Sequence, residues 1–301
     1  MSEKIKFSIV IPTYNRKELL TKTINSCIEQ SYPDLEVIIV DDGGTDGTDS
    51  MIAEKYASNP KVKYYWKENA ERGAARNFGT NRASGDYVIF LDSDDLMRKG
   101  CLALYVEKIS KYGPDVLFSN YETWCNNTFR PSSVENWSEG WLRWTKFLKG
   151  NYFASMICFK KGIDKIQVPE SLTVVTSEDW IFNILKTYKK GFYYINEVCF
   201  TMVDHEDRSM NSDQKFIIET KLSALNLIEN EIDLSPDELT TLRSYAYYFV
   251  AIHSYVGNFK RMAFKFLLKA KRVPFMRRLF LAIKAFLGRK NILFFKRILN
   301  S

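Results

Sequence analysis

The chain has 301 residues, of which 46% are hydrophobic and 15% aromatic, and its formal net charge is +7. This length accommodates one large domain or two, and the composition excludes a disordered or fibrous chain. The five cysteines are widely spaced and form no CxxC pair, so we expect reduced thiols, with neither a disulfide framework nor a zinc site. No apolar segment reaches the roughly 20 residues that span a bilayer, and the opening MSEKIK does not resemble a signal peptide.

The first hundred residues alternate strand and helix patterns. The predicted strands are 7–11, 36–40, 62–66 and 86–91, and the predicted helices are 16–30, 49–56 and 72–83. Near-continuous apolar strands separated by helices are typical of a mostly parallel sheet covered on both faces. The first, second and fourth strands end in the polar sequences PTYN, DDGGTDGT and DSDD. Ligands bind such sheets beyond the carboxyl ends of the strands, so these three sequences should converge on one crevice.

The second half of the chain has a looser pattern. It predicts strands at 115–119 and 192–203 and helices at 101–111, 177–188, 212–231 and 235–255. Trp137, Trp141 and Trp144 could stack on an acceptor sugar, but their spacing equally fits one buried face of a helix. We favour the buried helix face.

Four segments carry a family resemblance: SIVIPTYNR, EVIIVDDGGTDGT, ERGAARNFGTNRASGDYVIFLDSDD and SEDW. In this order and spacing they resemble the family 2 inverting glycosyltransferases, closely over the first 100 residues and loosely to about residue 205. The resemblance implies the GT-A fold, an α/β architecture with a Rossmann-like, mostly parallel nucleotide-binding sheet flanked by helices. One departure is Gly44, where the family usually has serine, and we expect it to cost at most one hydroxyl contact.

The acidic residues after the fourth predicted strand need compensation, because neighbouring carboxylates repel one another. In an extended chain Asp92 and Asp94 would point to the same side, where Mg²⁺ or Mn²⁺ together with a diphosphate would make the cluster tolerable. By the resemblance, Asp94 is the more direct metal ligand, Asp92 faces the ribose or the metal, and Ser93 belongs to the nucleotide-sugar site. The plainer interpretation is a solvated turn in which Asp95 caps the following helix.

The resemblance also implies the nucleotide-binding residues. Four residues after the first strand would lie against the base, with the tyrosine as the stacking residue: Pro12, Thr13, Tyr14 and Asn15. Asp42 resembles the carboxylate that hydrogen-bonds the uracil edge, with Asp41 beside it, and Arg76 would contact the base or the diphosphate. The alternatives are an ordinary strand-to-helix turn capped by Asn15 and a surface arginine.

The sequence SEDW supplies the second half of the implied mechanism. Inverting transfer is a one-step displacement, and a general base for the acceptor hydroxyl typically contributes about 10²–10⁴ in rate. Asp179 matches the family's proposed base, with Glu178 beside it, although both residues also suit the first turn of a helix capped by Ser177. His205, in VDHEDRSMN, matches a further metal ligand of some family members, or is an ordinary histidine.

The last 44 residues carry 13 of the 43 basic side chains and none of the 36 acidic ones. Large apolar residues recur there at helical spacing in three pieces, the last of them at 292–299. This pattern is typical of helices that lie on an anionic membrane surface. The alternatives are a solvated basic face on helices that pack against the catalytic domain, and nucleic-acid binding, for which no recognised module is present.

We therefore predict a catalytic domain over 1–210, a helical region over 211–257 and a basic amphipathic extension over 258–301. Within the catalytic domain, 1–112 would bind the nucleotide sugar and 113–210 the acceptor. The predicted partners are a UDP-sugar, a glycan or lipid-linked oligosaccharide acceptor and an anionic membrane, without nucleic acid, and the oligomeric state stays open. The predicted location is the cytoplasm, peripheral on the inner face of the cell membrane of a bacterium.

The predicted enzyme is a hexosyltransferase or N-acetylhexosaminyltransferase that uses Mn²⁺ or Mg²⁺ and serves polysaccharide synthesis. One alternative is a membrane-associated protein that binds a nucleotide sugar without turnover. A sugar-nucleotide pyrophosphorylase is a second alternative, although it would need a glycine-rich phosphate loop where PTYNRKE stands.

Overall fold

The computed structural model describes residues 4–204 and 213–288, which divide into two compact units. Among the described residues, unit 1 comprises 4–144, 151–170 and 182–204, and unit 2 comprises 145–150, 171–181 and 213–288. Unit 1 therefore contains the sheet that the sequence predicts, and unit 2 contains most of the C-terminal helices.

Unit 1 is built on a mixed sheet of ten strands. The strands are β1 Phe7–Thr13, β2 Leu35–Asp42, β3 Val62–Lys67, β4 Tyr87–Phe90, β5 Leu96–Met97, β6 Val116–Cys125, β7 Thr128–Pro131, β8 Gly140–Leu142, β9 Cys158–Lys160 and β10 Phe192–Val203. Eight of them follow the order β3-β2-β1-β4-β9-β6-β10-β5, while β7 pairs with β6 and β8 with β10. The first four strands are parallel, β9 runs antiparallel to both its neighbours, and β10 is parallel to β6.

The helices of the sheet region are α1 Lys17–Ile28, α2 Thr48–Tyr56, α3 Glu71–Arg82, α4 Cys101–Tyr112 and α5 Glu178–Thr187, whose first turn belongs to unit 2. All residues of β1 and β2 are buried, as expected for apolar strands covered on both faces. The helix α3 approaches β1 closely because Gly79 has no side chain. A Cβ at Gly79 would lie 2.4 Å from Cγ1 of Val10.

Unit 2 is helical. Its longer helices are α6 Gln214–Glu231, α7 Pro236–Val256, α8 Lys260–Lys269 and α9 Phe275–Leu287. Ser235 and Glu238 form a capping box at the start of α7, in which each side chain satisfies a backbone N–H of the other residue. The four helices share one apolar core, which includes Ile218, Val250, Phe266 and Leu281. The helices of the basic extension therefore pack on α6 and α7.

Most predicted boundaries agree with the structure to within two residues, although β6 extends six residues beyond its prediction. The expectation of one buried helix face for the three tryptophans is wrong. Trp141 lies in β8 with 55% of its surface exposed, Trp144 begins a 3₁₀ helix, and Trp137 precedes both in a turn. The predicted third piece of the extension, 292–299, lies outside the described residues.

Within residues 4–204 and 213–288, no helix is both long and apolar enough to cross a membrane. Large apolar side chains are nevertheless exposed along the basic extension. Those with more than 60% of their surface exposed are Leu268, Phe275, Met276, Phe280 and Phe286.

Candidate active site

The carboxyl ends of β1, β2 and β4 meet at one edge of the sheet. Thr13 at the end of β1 is in register with Asp41 on β2, and Val10 on β1 is in register with Phe90 at the end of β4. The polar sequences that follow these strands therefore converge, as the sequence predicts. This edge lies entirely within unit 1.

Three carboxylates form a cluster immediately after β4. Asp92, Asp94 and Asp95 can each direct an oxygen atom to within 4.8 Å of the others. A tight turn gathers them, because the backbone N–H of Asp95 donates to the carbonyl of Asp92 at 3.1 Å. The expected extended conformation from Asp92 to Asp94 is wrong, and the turn brings in Asp95 as a third member. Thr23 of α1 fixes the turn by donating to the carbonyl of Ser93 at 2.9 Å.

Two arginines compensate the charge of this cluster. Arg16 donates to Asp94 at 2.8 Å, and Arg76 donates to Asp92 at 2.7 Å. Burial disfavours the charged form of Asp92, but Arg76 and Arg72 outweigh this effect and hold the pKa of Asp92 below its usual value. The sequence suggested Arg76 as a site residue and missed Arg16, although Arg16 directly follows the sequence PTYN.

Asp95 has a different role from the helix cap considered for it. No helix begins after Asp95, because β5 follows it directly and α4 starts only at Cys101. The carboxylate of Asp95 accepts a hydrogen bond from the backbone N–H of Val203 at 3.1 Å. This bond ties the acidic turn to the end of β10.

Asp41 is buried beneath the turn that follows β2. Its carboxylate accepts hydrogen bonds from the Tyr64 hydroxyl at 2.8 Å and from the Gly44 backbone N–H at 2.8 Å. Burial raises the pKa of Asp41, and these two hydrogen bonds act in the opposite direction. A Cβ at Gly44 would lie 2.5 Å from Oδ1 of Asp41, so glycine does more here than omit a hydroxyl. It allows the turn to close directly onto the carboxylate.

Asp42 is also held by neighbouring groups. Its Oδ1 accepts from the Lys67 ammonium at 2.6 Å and from the backbone N–H of Ala70 at 3.1 Å. Only 4% of Asp42 is exposed. This carboxylate therefore also organises the segment that leads from β3 into α3.

Exposed aromatic side chains border the same edge. Tyr14 has 52% of its surface exposed and Trp66 has 55%, and Trp66 lies in register with Asp41. Asn15 adopts a left-handed φ of 49° and does not cap α1, since its side-chain oxygen accepts from the backbone N–H of Thr45 at 2.7 Å. Pro12 lies within β1. Trp66 was not predicted, and its one signal in the sequence is a large aromatic residue near the end of β3, whose other residues are only partly buried.

The residues present fit a hard divalent cation. Three carboxylates on one turn supply the oxygen ligands that Mg²⁺ and Mn²⁺ prefer. The buried hydroxyl of Thr13, at the same strand ends, has no hydrogen-bond partner among the described residues, which indicates that a polar ligand approaches there. His205, expected as a further ligand, lies outside the described residues.

The residues Glu178 and Asp179 belong to unit 2, at the start of α5. Glu178 is only 2% exposed, while Asp179 is partly exposed and its carboxylate accepts from the backbone N–H of Trp180 at 2.7 Å. The indole of Trp180 is buried and donates to the carbonyl of Phe147 at 2.9 Å. This residue therefore anchors the segment that carries both acids.

A buried lysine packs against this segment from α6. The ammonium of Lys221 lies 3.0 Å from the centroid of the Trp180 indole, and Lys221 is 5% exposed. Burial lowers the pKa of Lys221 well below its usual value, against the opposite effect of Asp179. Burial, and then the charge of Lys221, lower the pKa of His253 to about 4. No local pattern in the sequence indicates this cluster.

A mostly parallel sheet flanked by helices, with an acidic turn at its carboxyl edge, defines the GT-A class of nucleotide-sugar-binding folds. The chain belongs to glycosyl transferase family 2, whose family model matches residues 8–165. That match includes the acidic turn but not Asp179.

The chain is similar to proteins of several organisms. It is 36% identical over 108 residues to GalNAc(5)-diNAcBac-PP-undecaprenol beta-1,3-glucosyltransferase of Campylobacter jejuni, a match that covers 35% of this chain and 35% of that enzyme. Staphylococcus aureus TarS 1-349 in complex with UDP-GlcNAc superimposes with a TM-score of 0.67 at 23% identity, covering 93% of this chain and 79% of that one. The mannosyltransferase PcManGT of Pyrobaculum calidifontis, in complex with GDP-Man and Mn²⁺, gives a TM-score of 0.63 at 19% identity, covering 95% of this chain and 81% of that one.

Proposed function

We propose that the protein is an inverting glycosyltransferase that transfers a sugar from a UDP-sugar to a hydroxyl group of a glycan. The observation that carries this proposal is the acidic turn after β4, whose three carboxylates lie within 4.8 Å of one another at the edge where β1 and β2 also end. A nucleotide sugar needs a cation site for its diphosphate and a platform for its base, and this edge contains groups suited to both.

Asp94 and Asp92 are the proposed metal ligands, and the turn makes Asp95 a third candidate. A bound Mn²⁺ or Mg²⁺ would neutralise the charge that develops on the leaving diphosphate. His205 stays a further candidate ligand. PcManGT has the same fold and its complex contains Mn²⁺, which supports a divalent cation as the cofactor.

The donor nucleotide would lie along the ends of β1 and β2, within the segment Pro12, Thr13, Tyr14 and Asn15. Tyr14 is half exposed there and offers its ring to the base, while Asp41 and Asp42 offer carboxylate oxygens to the base edge and Ser93 borders the sugar. Arg76 would help to hold the diphosphate once a cation takes over its partner Asp92. The UDP-GlcNAc complex of TarS supports a uridine nucleotide.

Asp179 is the proposed general base. In an inverting transfer the acceptor oxygen attacks the anomeric carbon while the bond from that carbon to the diphosphate oxygen breaks, and the acceptor proton passes to the base. Asp179 is partly exposed and its neighbour Glu178 is buried, which favours Asp179 as the proton acceptor and Glu178 as its support. A donor with an α-linked sugar would then give a β-linked product.

The names of related proteins support a lipid-linked saccharide or a polymer as the acceptor. The C. jejuni relative acts on an undecaprenol-linked saccharide by its name, and the S. aureus relative is a poly(ribitol-phosphate) beta-N-acetylglucosaminyltransferase. Both names are consistent with transfer of a hexosyl or N-acetylhexosaminyl group to a lipid-linked oligosaccharide or a polysaccharide. This transfer would take place on the cytoplasmic side of the membrane.

The basic helical face, defined as the exposed apolar and basic side chains of α8 and α9, is the proposed membrane-binding surface. Phe280 and Phe286 are 61% and 76% exposed, and residues 258–288 contain nine Lys and Arg without an acidic residue. Each basic residue near an anionic leaflet contributes about 1 kcal/mol, and the phenylalanines add apolar burial. A lipid-linked acceptor would thus be reached from the membrane surface.

Donor turnover tests the proposed function. The purified protein is incubated with UDP-glucose, UDP-galactose, UDP-GlcNAc, UDP-GalNAc, UDP-glucuronate or GDP-mannose, with Mn²⁺ or with EDTA, and the released nucleotide is measured. We expect slow, Mn²⁺-dependent hydrolysis of one UDP-sugar, and this hydrolysis should be lost in Asp94→Ala. Asp86→Ala is the control and should retain the hydrolysis, because Asp86 is an exposed acidic residue of unit 1 outside the acidic turn. Binding of a UDP-sugar that depends on Mn²⁺ but gives no hydrolysis even with glycan acceptors would instead support a binding protein without turnover.

Vesicle flotation tests the membrane surface. We expect binding to vesicles that contain phosphatidylglycerol, little binding to pure phosphatidylcholine, and a loss of at least about tenfold when Phe280 and Phe286 are both changed to serine. Leu172→Ser is the matched control, because Leu172 is 62% exposed in unit 2 but lies outside the basic helical face. Equal binding of both vesicle types, or no effect of the double change, would contradict this part of the proposal.

A further inference from the structure

A cavity opens in unit 1 beside the acidic turn. It has a volume of about 680 Å³, within the range of about 300–1,000 Å³ that is usual for small-ligand pockets. The end of α1, the segment 96–99, the β6–β7 hairpin and the end of β10 form its walls. None of the residues proposed for the donor nucleotide lines it.

An aromatic pair forms one wall of this cavity. Trp124 on β6 is in register with Phe129 on β7, and their ring centroids are 4.5 Å apart. Phe129 is 56% exposed, so part of its ring is available to a ligand in the cavity. Flat aromatic faces of this kind suit the apolar face of a sugar ring.

A positioned guanidinium lies against the same wall. Arg98 donates to Glu122 at 2.7 Å, its central carbon lies 5.6 Å from the Phe129 ring centroid, and its side chain is 48% exposed. Glu122 in turn accepts from the Thr201 hydroxyl at 2.9 Å, so the arginine is held on a fixed support. Arg98 and the exposed Lys99 beside it supply two cationic groups, and the guanidinium has the planar donor geometry that binds a carboxylate or a phosphate. Glu29 also lines the cavity and Glu122 pairs with Arg98, so an anionic group of the ligand would share Arg98 with Glu122.

The frame of the cavity is preformed by hydrogen bonds. The side-chain amide of Gln30 donates to the carbonyls of Ser26 at 3.0 Å and of Arg98 at 2.9 Å. The backbone N–H of Met97 donates to the Ser26 hydroxyl at 3.1 Å, and that of Arg98 donates to the carbonyl of Cys199 at 2.7 Å. A ligand would therefore meet walls that need little ordering, which favours affinity.

The cavity borders the acidic turn through two of its lining residues. Val203 lines the cavity, and its backbone N–H donates to Asp95. Leu96, the residue after Asp95, lines it too. The cavity and the acidic turn therefore share the end of β10 and the segment that follows Asp95.

We propose that this cavity is a saccharide subsite that binds a sugar unit carrying a carboxylate or a phosphodiester, and that it holds the acceptor chain beside the acidic turn. The proposal deepens the proposed function and rests on it for the identity of the chain as an acceptor. The ring stacks on Phe129 and Trp124, and its anionic group pairs with Arg98 and Lys99.

Calorimetric titration with three soluble probes tests the subsite. The probes are a chondroitin hexasaccharide with carboxylates, a ribitol-phosphate hexamer with phosphodiesters, and neutral chitohexaose. We expect one anionic probe to bind, chitohexaose to bind more weakly, and both Phe129→Ala and Arg98→Gln to weaken the anionic probe by about tenfold or more. Tyr112→Ala and Arg143→Gln are the matched controls, because both residues are exposed in unit 1 outside the cavity, and they should bind normally.

Failure of every probe to bind, or equal binding by wild type and both cavity variants, would overturn the proposal and leave the cavity to a protein partner. Equal binding of chitohexaose and the anionic probes would overturn the assignment of a charged ligand. Each variant is first required to unfold at the wild-type temperature, so that lost binding does not reflect lost folding.

Donor hydrolysis separates this proposal from the proposed function. Phe129→Ala and Arg98→Gln should hydrolyse the UDP-sugar at the wild-type rate while transferring it poorly to an anionic acceptor. Saccharide binding with neither hydrolysis of any donor nor transfer from it to an acceptor would refute the transferase activity and leave the subsite standing. Hydrolysis with unaltered transfer in both variants would refute the subsite alone.

Discussion

Glu36 offers a stringent test of the structure, because it is a buried carboxylate far from the acidic turn. It lies on β2, is 2% exposed, and accepts from the Lys63 ammonium at 2.6 Å and the Ser8 hydroxyl at 2.6 Å. The backbone N–H and the hydroxyl of Ser84 donate to it at 2.6 and 2.8 Å. Glu36 thereby joins β1, β2, β3 and the segment before β4.

These contacts determine the direction of the pH effect. Burial alone would raise the pKa of Glu36, but the hydrogen bonds from Lys63, Ser8 and Ser84 outweigh it and lower the pKa from 4.5 to about 2. The folded state therefore holds the ionised form more strongly than the unfolded state does. This contribution is fully present above pH 4.5 and is lost as the pH falls towards 2. The shift corresponds to about 3 kcal/mol, of which about 2 kcal/mol is lost by pH 3.

Urea unfolding at pH 6 and at pH 3, followed by tryptophan fluorescence, measures this contribution. Glu36→Gln should be less stable than wild type at pH 6, and the difference should shrink by about 2 kcal/mol at pH 3. Other carboxylates titrate in both proteins and cancel in the comparison. Glu54→Gln, on the exposed side of α2, is the control and should keep a constant small difference. A Glu36→Gln penalty that does not change with pH would refute the assignment of a depressed pKa.

Three further predictions follow from the sites described above. Gly44→Ser should lower the free energy of unfolding by about 1–3 kcal/mol, because the serine Cβ would lie 2.5 Å from Oδ1 of Asp41. A thermal melt measures this effect, and an unchanged melting temperature would contradict that contact. Lys221→Met should melt at or above the wild-type temperature at pH 7, because a buried ammonium is costly. The pKa of Lys221 is lowered on folding, so the stability of wild type should rise from pH 7 to pH 10 and that of the variant should not. Equal pH profiles of the two proteins would argue against burial of the Lys221 ammonium. Arg16→Met should raise the Mn²⁺ affinity of the nucleotide-free protein about fivefold, because it releases Asp94 from its ion pair. The electron paramagnetic resonance of free Mn²⁺ measures this affinity, and a fall in affinity would contradict the prediction.

The sequence predicts the elements whose signals are local. The runs FSIVI and EVIIV are almost wholly apolar, and they correspond to the fully buried β1 and β2. The strands β5, β8 and β9 were missed because they have only two or three residues and exist through their pairing partners. β9, for example, fills the gap between β4 and β6, which no local pattern of Cys158–Lys160 can indicate.

The candidate site divides in the same way. Carboxylates that follow a buried strand are visible in the sequence, so the acidic cluster was predicted, although its turn conformation was not. The pair between Arg16 and Asp94 joins residues 78 positions apart, and the stacking of Lys221 on Trp180 joins two helices, so neither has a local signal. The aromatic wall of Trp124 and Phe129 depends on a hairpin whose register the sequence leaves open.

The acidic turn also explains how a buried strand can end in three carboxylates. Arg16 and Arg76 pair with Asp94 and Asp92, and Asp95 accepts a backbone N–H, so the local charge is largely balanced by the chain itself. A divalent cation that enters with a diphosphate brings charges that also nearly cancel. We infer that the two arginines can exchange a carboxylate partner for a phosphate partner with little change in net charge. An acidic site of this kind would stay folded without its ligands and would still bind the cation and the diphosphate.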